Sequence, residues 1–214
     1  MSVEVKICGL KTPDALDAAL AAGADYVGLV FYPPSPRHIS HVAAADLVRR
    51  ARGRARSVAL LVDPDDQMVR SVVEQVAPDI LQLHGSETPE RVRTIKSSSG
   101  LTVMKALKVA TEADVAAAAA YESSADLVLF DAKPPADLKG ALPGGNGITF
   151  DWRILGNWRA RWYMLSGGLT PANVADAIRL TGARAVDVSS GVERTPGEKD
   201  ATLIANFIRA AKAA

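Results

Sequence analysis

The stretch WYMLSGGLTPANVADAIRLTGARAVDVSSG, residues 162–191, contains one complete structural repeat. Its apolar start, Trp162–Leu165, reads as a short strand that ends in Ser166-Gly167-Gly168. Thr170-Pro171 then places a side-chain acceptor at a helix N-cap and a proline at the first helical position, where no backbone donor is lost. Pro171–Thr181 has helical spacing, and Gly182 follows at the position that favours a left-handed residue. Ala185–Ser189 is a second β-rich run, and it closes in Ser190-Gly191. A strand, a helix and a strand with turn residues between them make a βαβ unit with parallel strands.

The same alternation runs outward from this stretch to both ends. Strands are expected near Val3–Cys8, Tyr26–Phe31, Ser57–Val62, Ile80–His84, Thr102–Ala106, Leu127–Asp131, Trp162–Leu165 and Ala185–Ser189. Helices are expected near Pro13–Ala22, His41–Ala51, Gln67–Val76, Pro89–Ser97, Glu112–Tyr121, Trp152–Trp158, Pro171–Thr181 and Lys199–Ala213. Thr12-Pro13 and Thr88-Pro89 repeat the capping signal, and Gly23 and Gly100 repeat the stop. Strands apolar on both faces need cover on both sides, so the expected fold is α/β, a single-domain (βα)8 TIM barrel spanning residues 1–214. A doubly wound sheet is the architectural rival, but it needs a reversal of strand order that nothing in the chain marks.

Composition narrows the function. The 214 residues are 48% hydrophobic and 23% charged, which excludes disordered, collagen-like and disulfide-scaffold classes. Lys and Arg total 25 against 24 for Asp and Glu, a formal charge of +1, so a nucleic-acid partner is not expected. No run of about 18 apolar residues and no signal-peptide pattern is present, and the expectation is a cytoplasmic protein without a membrane partner. Cys8 is the only cysteine and has no intrachain partner for a disulfide.

In a barrel of this kind the chemistry sits at strand C-terminal ends. Those ends read Cys8-Gly9, Tyr32-Pro33, Asp63-Pro64, His84-Gly85, Lys105, Asp131-Ala132-Lys133, Ser166-Gly167-Gly168 and Ser189-Ser190-Gly191. Glycines after strands seven and eight let backbone N–H groups approach a phosphate, although a turn that needs positive φ also explains them. A thiol at Cys8 facing the mouth suits a general base if Lys6 or Lys105 favours its charged form; a small buried hydrophobe is the other reading. Asp131 closes the apolar run Leu127–Phe130, at the edge of a dry cavity where desolvation favours the proton-donating form of a carboxyl. An N-cap or an ion pair with Lys133 would also account for it. Arg37, on the proline-stiffened loop Pro33–Arg37, suits bidentate recognition of a planar carboxylate, and a solvated surface arginine is the plain alternative. By strand parity Asp187 is expected to point into the barrel with Ser189 and to pair with Lys6, either tuning Cys8 or simply satisfying the interior. His38, His41 and His84 lack metal-ligand spacing, so no metal is expected. Residues 133–149 are a long glycine- and proline-rich stretch, expected to be a lid or a disordered loop, and they match no nucleotide motif, so no cofactor is expected.

These residues fall in runs that resemble the phosphoribosylanthranilate isomerases: Lys6-Ile7-Cys8-Gly9, Gly28–Tyr32 with Ser35-Pro36-Arg37, Gln82-Leu83-His84-Gly85, Phe130-Asp131, Gly147–Trp152, Ser166-Gly167-Gly168-Leu169 and Asp187–Glu193. The Ser-Gly-Gly-Leu run recurs in other phosphate-binding barrels, whereas Lys-Ile-Cys-Gly with Asp-Val-Ser-Ser-Gly-Val-Glu is far more specific. The resemblance covers the chain end to end. It implies an isomerase of tryptophan biosynthesis, acting on a phosphosugar by an Amadori rearrangement without a cofactor. Asp131 would be the general acid and Cys8 the base. Arg37 would hold the anthranilate carboxylate, and the backbone around Gly167, Gly168, Ser190 and Gly191 the phosphate, with His84, Asp187 and Ser189 also facing substrate. The chain is expected to be a monomer or homodimer. Asp63 departs from the family pattern, which favours asparagine there. Cys8 argues against indole-glycerol-phosphate synthase and a histidine-pathway sugar isomerase, and a silent metabolite-binding barrel would not need both Cys8 and Asp131.

Overall fold

The computed structural model describes residues 2–135, 142–158 and 162–214, with Asn157 described for its backbone alone. Eight parallel strands close into a barrel in chain order: β1 Glu4–Cys8, β2 Tyr26–Phe31, β3 Arg56–Leu61, β4 Ile80–Leu83, β5 Thr102–Val109, β6 Leu127–Ala132, β7 Tyr163–Leu165 and β8 Ala185–Val188. The helices α1 Pro13–Ala22, α2 His41–Ala51, α3 Asp66–Val76, α4 Pro89–Ser99, α5 Glu112–Ala117, α6 Val174–Thr181 and α7 Ala201–Lys212 alternate with them. After β8, the short antiparallel strands β9 Glu193–Thr195 and β10 Glu198–Lys199 form a ribbon. No helix among the described residues is long and apolar enough to cross a membrane.

Capping chemistry sets most of the helix ends. Thr12 and Thr88 accept from the N–H groups of Ala15 and Arg91, and Gly23 and Gly100 end α1 and α4 in the left-handed region. Four expectations fail locally. The helix after β7 starts at Val174, because Asn173 Oδ1 accepts the Thr170 N–H at 2.7 Å and turns Thr170–Asn173 into a separate loop. Residues 152–157 form a 3₁₀ segment rather than an α-helix, and the expected helix Glu112–Tyr121 changes to 3₁₀ at Ala118. The ribbon β9–β10 occupies chain expected to lie before or within the last helix.

Side-chain alternation divides the apolar residues between two faces. The larger core lies between sheet and helices, with Ile7, Leu29, Leu61 and Leu81 facing α1 to α7. Inside the barrel, Tyr26, Val58, Ile80, Met104, Leu129, Met164 and Ala185 fill the end nearest the strand starts. Towards the other end the interior turns polar. Register puts Lys6 of β1 opposite Asp187 of β8, and Lys6 Nζ donates to Asp187 Oδ1 at 2.8 Å, as strand parity predicts. Asp187 Oδ2 also accepts from Ser166 Oγ at 3.2 Å. Burial opposes the Lys6 charge, but Asp187 and Cys8, through charge and hydrogen bonding together, hold the ammonium above the ordinary lysine range.

Lys105 does not reach the mouth. Strand β5 continues to Val109, which leaves Lys105 mid-strand, buried and paired with Glu87 at 2.7 Å. Its Nζ also donates to the Gly85 carbonyl, so its charge serves the loop after β4.

Removing one partner of a buried pair leaves the other charge uncompensated. Asp187→Ala is expected to cost about 3–5 kcal/mol, and Lys6→Met/Asp187→Leu to recover most of it, as read by urea unfolding. Equal losses in the single and double variants would contradict this account of the pair.

Candidate active site

A cleft opens at the C-terminal ends of the strands, and Cys8, Arg37, His84, Asp131, Gly167, Gly168, Asp187, Ser189 and Ser190 all line it. The residues expected to meet there therefore do so, with Gly191 directly behind Ser190. Leu142–Ile148, within the expected lid over 133–149, also lines the cleft, and Asn146 braces it with hydrogen bonds to both backbone groups of Leu142. Residues 136–141 of that lid lie outside the described chain.

Cys8 ends β1 beside Gly28 of β2. A Cβ at position 28 would stand 2.9 Å from the Cys8 sulfur and 3.2 Å from Lys6 Nζ, so glycine makes the space that both groups occupy. The thiol is buried and its neighbourhood is only partly cationic. Burial raises it above the ordinary thiol range, because Lys6 is largely compensated by Asp187. Lys6 does favour the charged form of the thiol, as expected of a neighbouring lysine, but its effect is smaller than that of burial.

Asp131 ends the apolar core of β6, and its Oδ1 accepts the Ala132 N–H at 2.9 Å. His84, just past β4, reaches across the mouth so that Nε2 lies 3.1 Å from Asp131 Oδ2. Gln82 Nε2 lies 3.2 Å from His84 Nδ1 and donates to it, which leaves the ring proton on Nε2, pointing at the carboxylate. Lys133 pairs instead with Asp114, so Asp131 is neither a helix cap nor the partner of Lys133. Gln82 Oε1 has no hydrogen-bond partner among the described residues.

Arg37 is buried, not solvated, and its bidentate edge is already taken. Nε and Nη2 donate to the two carboxylate oxygens of Glu193, each at 2.8 Å, and Nη2 also donates to the Gly145 carbonyl at 3.2 Å. The fork expected to grip a ligand carboxylate thus grips Glu193, and Nη1 is the donor left over. Lys199 Nζ joins the same carboxylate at 2.7 Å. Burial opposes the Glu193 charge, but the hydrogen bond from Arg37 and the charge of Lys199 bring the group below the ordinary glutamate range. Burial draws Lys199 down from the usual lysine value, with Glu193 opposing it.

Gly167 and Gly168 have φ of +91° and +63°, so the turn itself requires glycine whether or not an anion binds beside it. The Ser189 hydroxyl donates to the Cys8 carbonyl at 3.1 Å and ties the end of β8 to that of β1. Asp63, at φ +45°, accepts the Ser86 N–H at 2.7 Å, a loop-bracing role that absorbs its charge. Glu193, Lys199 and Gln82 escape a reading of the residues. Glu193 and Gln82 stand inside motif runs, but Lys199 carries no sequence signal, since only the ribbon register brings it opposite Glu193.

Alkylation should report the state of the single thiol. Iodoacetamide is expected to modify Cys8 faster as pH rises, with a midpoint above the ordinary thiol value of 9.0. A midpoint at or below that value, read by mass spectrometry, would show that the lysines win over burial.

The model of the family described as N-(5'phosphoribosyl)anthranilate (PRA) isomerase matches residues 5–210. A curated relative, the N-(5'-phosphoribosyl)anthranilate isomerase of Parvibaculum lavamentivorans, is 57% identical over 215 residues and covers 100% of each chain. A crystal structure of monomers generated from the dimeric Thermotoga maritima isomerase is similar at TM-score 0.85 and 36% identity, covering 99% of this chain and 100% of that one. A second crystal structure of such an isomerase, in complex with reduced 1-(o-carboxyphenylamino)-1-deoxyribulose 5-phosphate, is similar at TM-score 0.85 and 35% identity, with the same coverage. With its barrel, motif order and whole-chain similarity in agreement, the chain belongs to the phosphoribosylanthranilate isomerase family.

Proposed function

We infer that this chain converts N-(5-phosphoribosyl)anthranilate into 1-(o-carboxyphenylamino)-1-deoxyribulose 5-phosphate, an intramolecular Amadori rearrangement within tryptophan biosynthesis, and we propose how its residues divide the work. One observation carries the assignment: a carboxyl held by His84 and a thiol beside Lys6 line a single cleft, between a buried arginine and two glycine-rich loops.

Asp131, in its neutral form, delivers its proton to the ribose ring oxygen. The C1–O bond breaks as the aniline nitrogen lone pair forms C1=N, giving a protonated Schiff base. His84 Nε2–H donates to the carboxylate that remains. Cys8, as thiolate, takes the proton from C2; the C–H electrons form C1=C2 and neutralise the iminium. The resulting enolamine then loses its hydroxyl proton and gains one at C1, leaving the ketone at C2. Because burial favours the thiol, the thiolate is the scarcer form and Lys6 is the nearest charge that stabilises it. Asp187 acts on substrate through Lys6 and Ser166, since both its oxygens are engaged by them.

Arg37 meets the anthranilate carboxylate through Nη1, and backbone groups around Gly167, Gly168, Ser190 and Gly191 hold the phosphate, with the Ser189 side chain bracing that loop. The chemistry needs only proton transfers, so no cofactor or metal enters it. We further propose a single domain over residues 1–214, a cytoplasmic location, no nucleic-acid partner, and a monomer or homodimer.

Cys8→Ala and Asp131→Asn are each expected to lower kcat by about 10²- to 10⁴-fold without loss of fold, measured by the fluorescence of freshly generated substrate. Near-wild-type turnover in either would remove that residue from its role. Arg37→Ala is expected to act mainly on KM, because the carboxylate is present in ground and transition states alike. A fall in kcat alone would count against it.

A further inference from the structure

Behind the cleft lies a buried charge cluster that takes no part in the proton transfers. Arg37, Glu193 and Lys199 are each no more than 6% exposed at the side chain. The Lys199 ammonium donates to Glu193 Oε1 at 2.7 Å, to the Ser189 carbonyl at 2.9 Å and to Ser189 Oγ at 3.3 Å. Three acceptors match the three N–H bonds of an ammonium, and a neutral amine would leave one of them without a donor. Two cations then share one carboxylate, and the cluster keeps one positive charge in excess. A guanidinium has five N–H groups. Three are spent here, Nε–H on Glu193 and the Nη2 pair on Glu193 and Gly145, which leaves the two on Nη1. Gly145 packs over that end, and a Cβ there would come 2.5 Å from Nη1.

We propose that Glu193 and Lys199 are positioning residues that set specificity for a carboxylate on the aryl group of the substrate. Glu193 fixes the guanidinium plane so that Nη1 alone is presented. Lys199 cancels the charge that Glu193 would otherwise remove from Arg37, so that a buried net cation waits for an anionic ring substituent. A neutral aryl amine leaves this charge uncompensated in a desolvated site, which is the basis for rejection. Lys199 also ties the carboxylate to Ser189, and through the Ser189 hydroxyl to the Cys8 carbonyl, so the aryl end of the cleft is held in register with its phosphate loop and base. The inference rests on Arg37 as the receptor of the carboxylate.

The test compares two substrates, the phosphoribosyl adducts of anthranilate and of aniline, which differ only in the carboxylate. The intact protein is expected to prefer the anthranilate adduct in kcat/KM by about 10-fold or more. Glu193→Gln is expected to raise KM for that adduct about 10- to 100-fold, to change kcat by less than about threefold, and to bring the preference towards one. Lys199→Met should shift the preference in the same direction, and it carries the test if Glu193→Gln fails to fold. In an Arg37→Leu background the effect of Glu193→Gln should vanish, since the residue acts through the guanidinium. Equal losses on both adducts, or effects that add to those of Arg37→Leu, would overturn the positioning role. An Arg37→Leu protein that keeps the full preference would instead overturn the Arg37 assignment, and this inference with it.

Discussion

The barrel closes where β8 meets β1, and its closure brings Lys6 and Asp187 together inside the protein. Two charges with almost no water around them need each other: either one alone would be unsustainable there, and together they satisfy the polar layer beneath the mouth. The pair also decides what Cys8 can be. Lys6 is close enough to stabilise a thiolate, but Asp187 opposes that effect, so burial prevails and raises the thiol above its ordinary range. Gly28 completes the arrangement by leaving the space that the sulfur and the ammonium share.

The same principle organises the rest of the mouth. Each group assigned to the chemistry is held by another polar side chain: Asp131 by His84, His84 by Gln82, Arg37 by Glu193, and Glu193 by Lys199. These partners consume the hydrogen bonds that would let the working groups swing, so their orientation is fixed before substrate enters. The cost is buried charge, and it is offset where Arg37 and Lys199 both pair with Glu193. Arg37 shows how far such holding goes, because three of its five donors serve the protein and the two on Nη1 have no partner among the described residues.

The glycine-rich loops illustrate a limit of motif reading. Gly167 and Gly168 are required by positive φ, and a side chain at position 191 would run into the Leu169 carbonyl, so turn geometry alone accounts for them. The same geometry that excludes a side chain leaves the backbone open to the cleft, so a structural need and the proposed anion site coincide in the same residues. Thr170-Pro171 is the opposite case: a strong helix-start signal was overridden because the Asn173 side chain bonded Thr170 first.

Alternating apolar runs, capping threonines and terminal glycines determined the eight strands, their parallel order and the strand ends at which the working residues stand, because these are local signals repeated at a regular interval. Strand parity was enough to foresee that Asp187 would face Lys6, and the run Phe130-Asp131 was enough to place a carboxyl at the cavity edge. Tertiary structure alone decided what surrounds each group. Lys105 looked like a neighbour of Cys8 and proved to serve Glu87, because Met104 and Ala106 on either side of it face the barrel interior and alternation turns Lys105 outward. Lys199 lies 162 positions from Arg37 in the chain, and only the ribbon after β8 brings it onto the carboxylate that Arg37 also holds. Charge compensation depends on distances through space, and a linear sequence records such distances only where the register of neighbouring strands can be counted.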